Sequence, residues 1–156
     1  MLRNKKKKQA SPVSSPEPSE SLTDDQKKTR KMQKLAKRWG GHIGIFDDGF
    51  VPLPRTFLKY TSKMKPHSLT PAESLFVINL MYHKWDAASP YPSYKTLAGR
   101  MGISVQYARD IARALETKGY LKRQVRVGQT NRFDLNPMFV ALDKHIQDQR
   151  ILEIAP

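Results

Sequence analysis

Residues 92–123 read PSYKTLAGRMGISVQYARDIARALETKGYLKR, and this stretch decides the fold. Ser93 is placed to cap one helix, and Gly102 is placed to end it. After a short turn, Ser104 is placed to cap a second helix, which continues until Gly119. The stretch therefore predicts two helices joined by a tight turn.

The second of these helices has one apolar and one polar face. At about 100° per residue, one side collects the apolar side chains of Val105, Ala108, Ile111, Ala112 and Leu115. The opposite side collects Gln106, Asp110 and Arg113, and Arg109 flanks them. Two helices joined in this way are a helix-turn-helix, whose second helix can enter the major groove of DNA. Arg and Gln side chains can bond base edges there in a bidentate manner.

The starts of both helices are candidates for phosphate binding. Free backbone N–H groups at a helix N-terminus suit anions, and Ser93 and Ser104 mark these two starts. For the helix before the turn, the predicted phosphate contacts are Ser93, Tyr94, Lys95 and Arg100.

A basic hairpin is predicted directly after the second helix. Residues 120–127 (YLKRQVRV) and 131–135 (NRFDL) alternate with a period of two, and Gly128-Gln129-Thr130 joins them. Leu121, Val125 and Val127 are predicted to share one face with Arg123, and Lys122, Gln124 and Arg126 the other. A flexible tip flanked by arginines can follow the DNA backbone or enter a minor groove. The predicted contacts of this hairpin are Lys122, Arg123, Arg126, Gln129, Thr130, Asn131 and Arg132.

Two capping boxes mark helix starts earlier in the chain. Residues 23–26 (TDDQ) begin a mostly basic helix that stops at Gly40-Gly41. Residues 70–73 (TPAE) begin a helix that continues to Trp85. Because the second of these helices is apolar over a wide face, we expect it to lie centrally in the core.

A second small hairpin is predicted in residues 42–54, HIGIFDDGFVPLP. Asp48-Gly49 suits a two-residue turn, and the prolines would restrict the second strand to an edge. A short helix is predicted after Pro54, and Asn136-Pro137 opens a last helix. The predicted fold class is therefore mainly α with small β-hairpins (α+β). Its predicted parts are a disordered basic tail (1–22), a basic helix and linker (23–41), and a helix-turn-helix domain with a hairpin (42–156).

The charge balance points to an acidic partner. The 156 residues carry a net charge of +14, and the pI is near 10.1, which favours nucleic acid as a partner. Lys5, Lys6, Lys7 and Lys8 lie in a tail that has little to bury, so disorder is expected there. The lysine run is either a solubilising tail or a set of nonspecific phosphate contacts.

Several functional classes are not expected. The absence of cysteine excludes disulfide frameworks and thiolate metal sites. The four histidines lack metal-ligand spacing, and no Gly-rich phosphate loop is present, so we expect no enzyme, metal or cofactor. No apolar run is long enough to span a membrane, and the N-terminus lacks a secretory hydrophobic segment. We therefore expect a soluble, cytoplasmic, nucleoid-associated protein without a membrane partner.

The order of these elements resembles that of winged helix-turn-helix DNA-binding domains. The most specific pieces are residues 92–104 (PSYKTLAGRMGIS) and 114–121 (ALETKGYL). The lead-in, FVPLPRTFL with LTPAESLFVINLM, is similar to that of winged-helix domains in plasmid and phage replication initiators and related regulators. The resemblance covers roughly residues 50–136.

The resemblance implies which side chains face the groove. Position by position, it selects Val105, Gln106, Tyr107, Arg109, Asp110 and Arg113, beside Ser104 at the helix start. Asp110 departs from the family, which often carries a basic or neutral polar residue there. Its carboxylate can accept from a cytosine amino group, or it can hold Arg113 or Arg109 in place.

The predicted function is sequence-specific binding of double-stranded DNA, by a transcriptional regulator or a DNA-binding accessory factor of a mobile element (plasmid, phage or transposon). The alternatives are a replication initiator or replisome organiser, and a nonspecific nucleoid- or RNA-associated basic protein. The short segment after the hairpin favours the regulator, because initiators usually carry a second domain. Predicted partners are DNA, a second copy through the C-terminal helix, and other replication or transcription proteins. Winged helices also serve as protein-interaction modules, so the fold alone does not give the function.

Overall fold

The computed structural model describes residues 23–84 and 87–154. The predicted tail, with its run from Lys5 to Lys8, lies outside the described residues. The chain divides into two compact units, Met1–Phe50 and Val51–Pro156. The division lies between Phe50 and Val51, whereas the predicted domain boundary was at residue 42.

Among its described residues, the first unit contains one α-helix and one short 3-10 helix. Helix α1 (Asp24–Lys37) begins at the predicted capping box, in which Thr23 and Gln26 exchange both hydrogen bonds. The 3-10 helix (Ile43–Phe46) follows, and the rings of Trp39 and Phe46 meet edge to face with centroids 6.4 Å apart.

The hairpin predicted in residues 42–54 is wrong, because no strand forms in that segment. The backbone N–H of Asp47 donates to the carbonyl of Gly44, and the N–H of Gly49 donates to that of Phe46. These local hydrogen bonds use backbone groups that a strand ladder would need, and Pro52 has no N–H to contribute. The two-residue turn predicted at Asp48-Gly49 does not form either, because only Gly49 has a positive φ (84°) and the turn that forms is centred on Asp47 and Asp48.

The second unit contains five α-helices and one two-stranded sheet among its described residues. In chain order these are α2 (Arg55–Tyr60), α3 (Pro71–Tyr82), α4 (Tyr94–Met101), α5 (Val105–Thr117), β1 (Lys122–Gln124), β2 (Arg132–Asp134) and α6 (Asn136–Ile154). This is a mainly α fold with one wing, as in winged helix-turn-helix domains, so the predicted fold class is confirmed with a single hairpin instead of two. None of the described helices is both long and apolar enough to cross a membrane.

The core of this unit is built around α3. Phe76, Val77 and Leu80 of α3 are fully buried, because the helix packs against both α4 and α5. The ring of Phe133 on β2 meets that of Phe76 edge to face, with centroids 6.3 Å apart. The predicted central position of this helix is confirmed, although α3 ends at Tyr82, before the predicted end.

The end of α5 is tied back to the segment that precedes α3. Lys118 Nζ donates to Glu73 Oε2 over 2.7 Å and to the carbonyl oxygen of Ser68 over 2.8 Å. The Tyr120 hydroxyl donates to the carbonyl oxygen of His67. The segment from His67 to Tyr120, which contains α3, α4 and α5, is therefore joined at its two ends by polar contacts as well as by its core.

The strands of the wing are shorter than predicted. They are antiparallel, and Arg123 on β1 lies opposite Phe133 on β2. Leu121 is buried as predicted, but the side chains of Val125 and Val127 are 74% and 100% exposed. The alternation of faces ends with β1 at Gln124, so the prediction that these valines share the inner face is wrong.

Candidate nucleic-acid interface

The apolar face of α5 is buried against the helices beside it. Ala108, Ile111, Ala112 and Leu115 are buried as predicted, and Val105 is half-buried. The turn between α4 and α5 is closed by Gly102, whose φ of 64° favours glycine. With one face fixed in this way, α5 presents its polar face to solvent.

The polar face of α5 is organised by Asp110. Asp110 Oδ1 accepts from Gln106 Nε2 over 3.0 Å and from Arg113 Nη1 over 2.9 Å. The side chains of Asp110 and Arg113 are each about half exposed. Of the two roles that the sequence left open for Asp110, the free chain shows it holding Arg113. Two side chains that can bond base edges are therefore pre-oriented by one carboxylate.

A cleft of about 290 Å³ lies between the N-termini of α4 and α5 and the loop of the wing. Arg109 points along it, with its guanidinium carbon 5.8 Å from the centroid of the Tyr94 ring. Eight of the predicted contact residues line the cleft, namely Ser93, Tyr94, Lys95, Val105, Arg109, Gln129, Thr130 and Asn131. The structure thus brings together predicted residues from three separate elements.

Both helix starts that face this region carry the predicted serine caps. Ser93 Oγ accepts from the backbone N–H of Thr96 over 3.0 Å, and Ser104 Oγ accepts from that of Tyr107 over 3.0 Å. Each serine oxygen therefore accepts one hydrogen bond from the first turn of its own helix. An anion at either start would bind the remaining backbone N–H groups of the first turn.

Arg100, a predicted phosphate contact, is held against the end of α3 and does not line the cleft. Its Nη1 lies 2.8 Å from His83 Nε2, and its guanidinium carbon lies 3.8 Å from the centroid of the Tyr82 ring. Burial lowers the pKa of His83, and the charge of Arg100 lowers it further. The neutral imidazole can then accept a hydrogen bond from Arg100.

The basic residues of the wing differ in their surroundings. Arg123 points toward the helices, and its guanidinium contacts Tyr94 and Glu116. Arg126 Nε donates to the carbonyl oxygen of Thr130 over 2.8 Å, which braces the loop from within. Among the remaining predicted wing contacts, Lys122 and Arg132 are exposed.

Sequence reasoning missed two residues of this region. The exposed ring of Tyr91 lies under the guanidinium of Arg126, 5.6 Å from centroid to carbon. Glu116, on α5, is the ionic partner of Arg123. Neither residue has a periodic signal, because each contact joins segments that only the folded chain brings together.

The described residues include no group of three or more His, Cys, Asp or Glu side chains that could hold a metal ion. Residues 67–121 match the model of a protein family described as a helix-turn-helix domain. The match begins just before α3 and ends just before β1. No curated protein matches the sequence of this chain.

Two solved structures are distantly similar to the chain. The YusO protein from Bacillus subtilis is 15% identical, with 85% of this chain and 82% of that chain covered and a TM-score of 0.40. RV1404 from Mycobacterium tuberculosis is 13% identical, with 87% and 84% covered and a TM-score of 0.37. At these scores the likeness is too distant to locate a site or a function.

Proposed function

We propose that the chain binds double-stranded DNA in a sequence-specific manner, on the premise that residues 67–121, which match the helix-turn-helix family model, act as a DNA-binding domain. The observation that carries the proposal is the polar face of α5. Gln106 and Arg113 are exposed on that face and share Asp110 as their partner. In the proposed mode, α5 lies in the major groove and these two side chains bond base edges.

The wing supplies the part of the interface that does not depend on sequence. The exposed charges of Lys122 and Arg132 suit phosphates on the flank of the groove, since such contacts position a protein without reading bases. The cleft beside the wing offers Lys95 and Arg109 to the sugar–phosphate backbone. In this arrangement one strand of the duplex runs between the wing and α5.

The biological role we propose is that of a transcriptional regulator or a DNA-binding accessory factor of a mobile element. A replication initiator would use the same DNA-binding surface, so the two roles differ in what the chain recruits. A nonspecific nucleoid- or RNA-associated protein would bind without preference for any site. Sequence preference is therefore the property that separates the proposal from this last alternative.

Self-association through α6 is part of the proposal. Ile151 and Leu152, near the end of α6, are 65% and 68% exposed, which leaves apolar surface for a second copy. Two copies would read two half-sites about one helical turn of DNA apart. Sedimentation equilibrium with the wild-type chain and a double Ile151→Ser, Leu152→Ser variant tests this, and a monomeric wild type would contradict it.

Selection of bound duplexes from a random DNA pool tests the main proposal. We expect the pool to converge on one short motif that the protein binds roughly 10³-fold or more tighter than scrambled duplex. The matched control is a Gln106→Ala, Arg113→Ala double variant, which should bind the pool but enrich no motif. An unenriched pool with the wild-type chain would contradict sequence-specific binding.

A further inference from the structure

Arg123 joins the wing to both helices of the helix-turn-helix. Its Nη1 donates to the hydroxyl oxygen of Tyr94, at the start of α4, over 3.0 Å. Its Nη2 lies 3.2 Å from Glu116 Oε2, near the end of α5. The side chains of Arg123 and Glu116 are 24% and 27% exposed, so the pair lies mostly beneath the surface.

Aromatic contacts reinforce the same junction. The ring of Tyr94 meets that of Phe133, on β2, edge to face with centroids 5.6 Å apart. Phe133 is opposite Arg123 in the strand register, so both strands of the wing reach Tyr94. Arg109, which lines the cleft, approaches the same tyrosine ring. The position of the wing relative to the cleft is therefore set at Tyr94 and Arg123.

The surroundings of Arg123 do not suit a phosphate contact. Each terminal nitrogen already has one polar partner, and Nε is buried without a hydrogen-bond partner among the described residues. Partial burial alone would lower the pKa of Arg123, but the hydrogen bond to Tyr94 and the charge of Glu116 raise it above its ordinary value. The guanidinium thus stays charged, and moving it outward to a phosphate would break its contacts with Tyr94 and Glu116.

We propose that Arg123 is a positioning residue that holds the wing at a fixed distance from α5, and that it contributes to DNA binding through the wing and not by touching DNA. The inference rests on the proposed function and deepens it. It also makes Glu116, an acidic residue in a basic interface, a supporter of DNA binding.

The Glu116→Ala variant distinguishes a positioning role of Arg123 from a purely electrostatic effect on DNA binding. Glu116→Ala raises the net charge by one, so an electrostatic effect alone would strengthen DNA binding. A positioning role predicts the opposite change. We expect affinity for the selected duplex to fall roughly 3–10-fold, about the net contribution of one intramolecular hydrogen bond. The matched control is Asp143→Ala, which removes an exposed carboxylate of α6. It makes the same charge change and should bind equally well or more tightly.

Arg123→Lys provides the second comparison. Lysine keeps the charge but cannot bond Tyr94 and Glu116 with the geometry of a guanidinium. We expect Arg123→Lys to lose affinity to a similar extent as Glu116→Ala. Wild-type binding by Arg123→Lys, together with a salt slope lowered by about one in Arg123→Ala, would overturn the proposal, because that is the signature of a phosphate contact.

Amide hydrogen exchange in the free protein keeps the inference separate from the proposed function. In Glu116→Ala, we expect exchange to be roughly 3–10-fold faster across β1 and β2 and unchanged in α3. If the wild-type chain binds no DNA, the proposed function fails and the exchange data alone decide about Arg123. Unchanged exchange in both strands would overturn the positioning role.

Discussion

Arg113 shares the carboxylate of Asp110 with Gln106 on the exposed face of α5, and this arrangement leads to the first prediction. Arg113→Ala should weaken binding to the preferred duplex by about 1–3 kcal/mol and binding to scrambled duplex much less, because a base contact is lost. Arg126→Ala, on the wing, is the control and should weaken both duplexes about equally. The measurement is a titration of both duplexes at two salt concentrations. Equal weakening by Arg113→Ala would mean that Arg113 touches only phosphate.

Glu73 and Lys118 form an ion pair of 2.7 Å in which the carboxylate is almost fully buried. Burial alone would raise the pKa of Glu73, but hydrogen bonds from Lys118 and Thr70, with the charge of Lys118, hold it below the ordinary value of 4.5. Because the folded-state pKa is the lower one, the pair stabilises the fold above about pH 4.5, and this stabilisation is lost as the pH falls through the folded-state value.

The second prediction follows from the lowered pKa of Glu73. Glu73→Gln should lower the free energy of unfolding by about 1–3 kcal/mol at pH 7, and the two proteins should converge as the pH falls below 4.5. Urea denaturation over a series of pH values measures this difference. Asp143→Asn, an exposed carboxylate on α6, is the control and should differ little from wild type at any pH. If the difference in free energy of unfolding between Glu73→Gln and wild type stays constant down to acidic pH, the ion pair is not the source of that difference.

At the scale of elements, Gly99 within α4 and Gly102 directly after it should respond in opposite ways to substitution by alanine. Gly99 lies inside the helix and Gly102 ends it with a φ of 64°, and an added Cβ would meet no atom within 4 Å at either position. Gly99→Ala should therefore stabilise the fold by about 0.5–1 kcal/mol through helix propensity. Gly102→Ala should destabilise it by about 1 kcal/mol through backbone conformation. Thermal unfolding of the two variants checks this, and equal signs would contradict the geometry of the turn.

The seam between α4 and α5 gives the fourth prediction. Leu97 and Leu115 are fully buried and Ile111 is 4% exposed, so each change to alanine should cost about 2–5 kcal/mol. Val127→Ala is the matched control, because that side chain is 100% exposed and should change stability by less than about 0.5 kcal/mol. Chemical denaturation measures all four variants. Unchanged stability of the three core variants would mean that α5 turns a different face toward the core from the one described.

These elements show what a sequence reveals of a fold and what it does not. The capping boxes, the serine caps and the apolar face of α5 were predictable, because each depends on residues within one or two helical turns. The hairpin in residues 42–54 was not, because a strand needs a partner strand and local hydrogen bonds formed instead. Likewise, periodicity placed Arg123 and Arg100 on their elements but could not show that Glu116 and His83 would hold them.

At the scale of the whole molecule, the fifth prediction concerns how DNA affinity depends on salt, and it follows from the net charge of +14. If about 6 to 10 phosphates are engaged, affinity for duplex DNA should fall roughly 10³–10⁵-fold between about 50 and 200 mM salt. Fluorescence anisotropy with a labelled duplex measures the slope. Affinity that does not change over this range would contradict a large electrostatic contribution to binding.

A truncated chain separates the contribution of residues 1–22 to this salt dependence from that of the rest of the chain. Residues 1–22 contain five basic and two acidic side chains and lie outside the described residues. A chain that begins at residue 23 should bind all duplexes more weakly by a similar factor, because lysines on phosphates carry no base information. A changed motif after truncation would instead show that the tail reads sequence.

The contacts that join the two ends of the segment 67–121 have a consequence for engineering. The hydrogen bonds from Lys118 to Ser68 and from Tyr120 to His67 place the two ends of the segment 67–121 side by side. A segment with neighbouring ends can be exchanged as a cassette, because both splice points fall at one corner of the domain. A graft that preserves the apolar surface facing Phe133 would join a new α5 to the wing and α6 at two unchanged junctions.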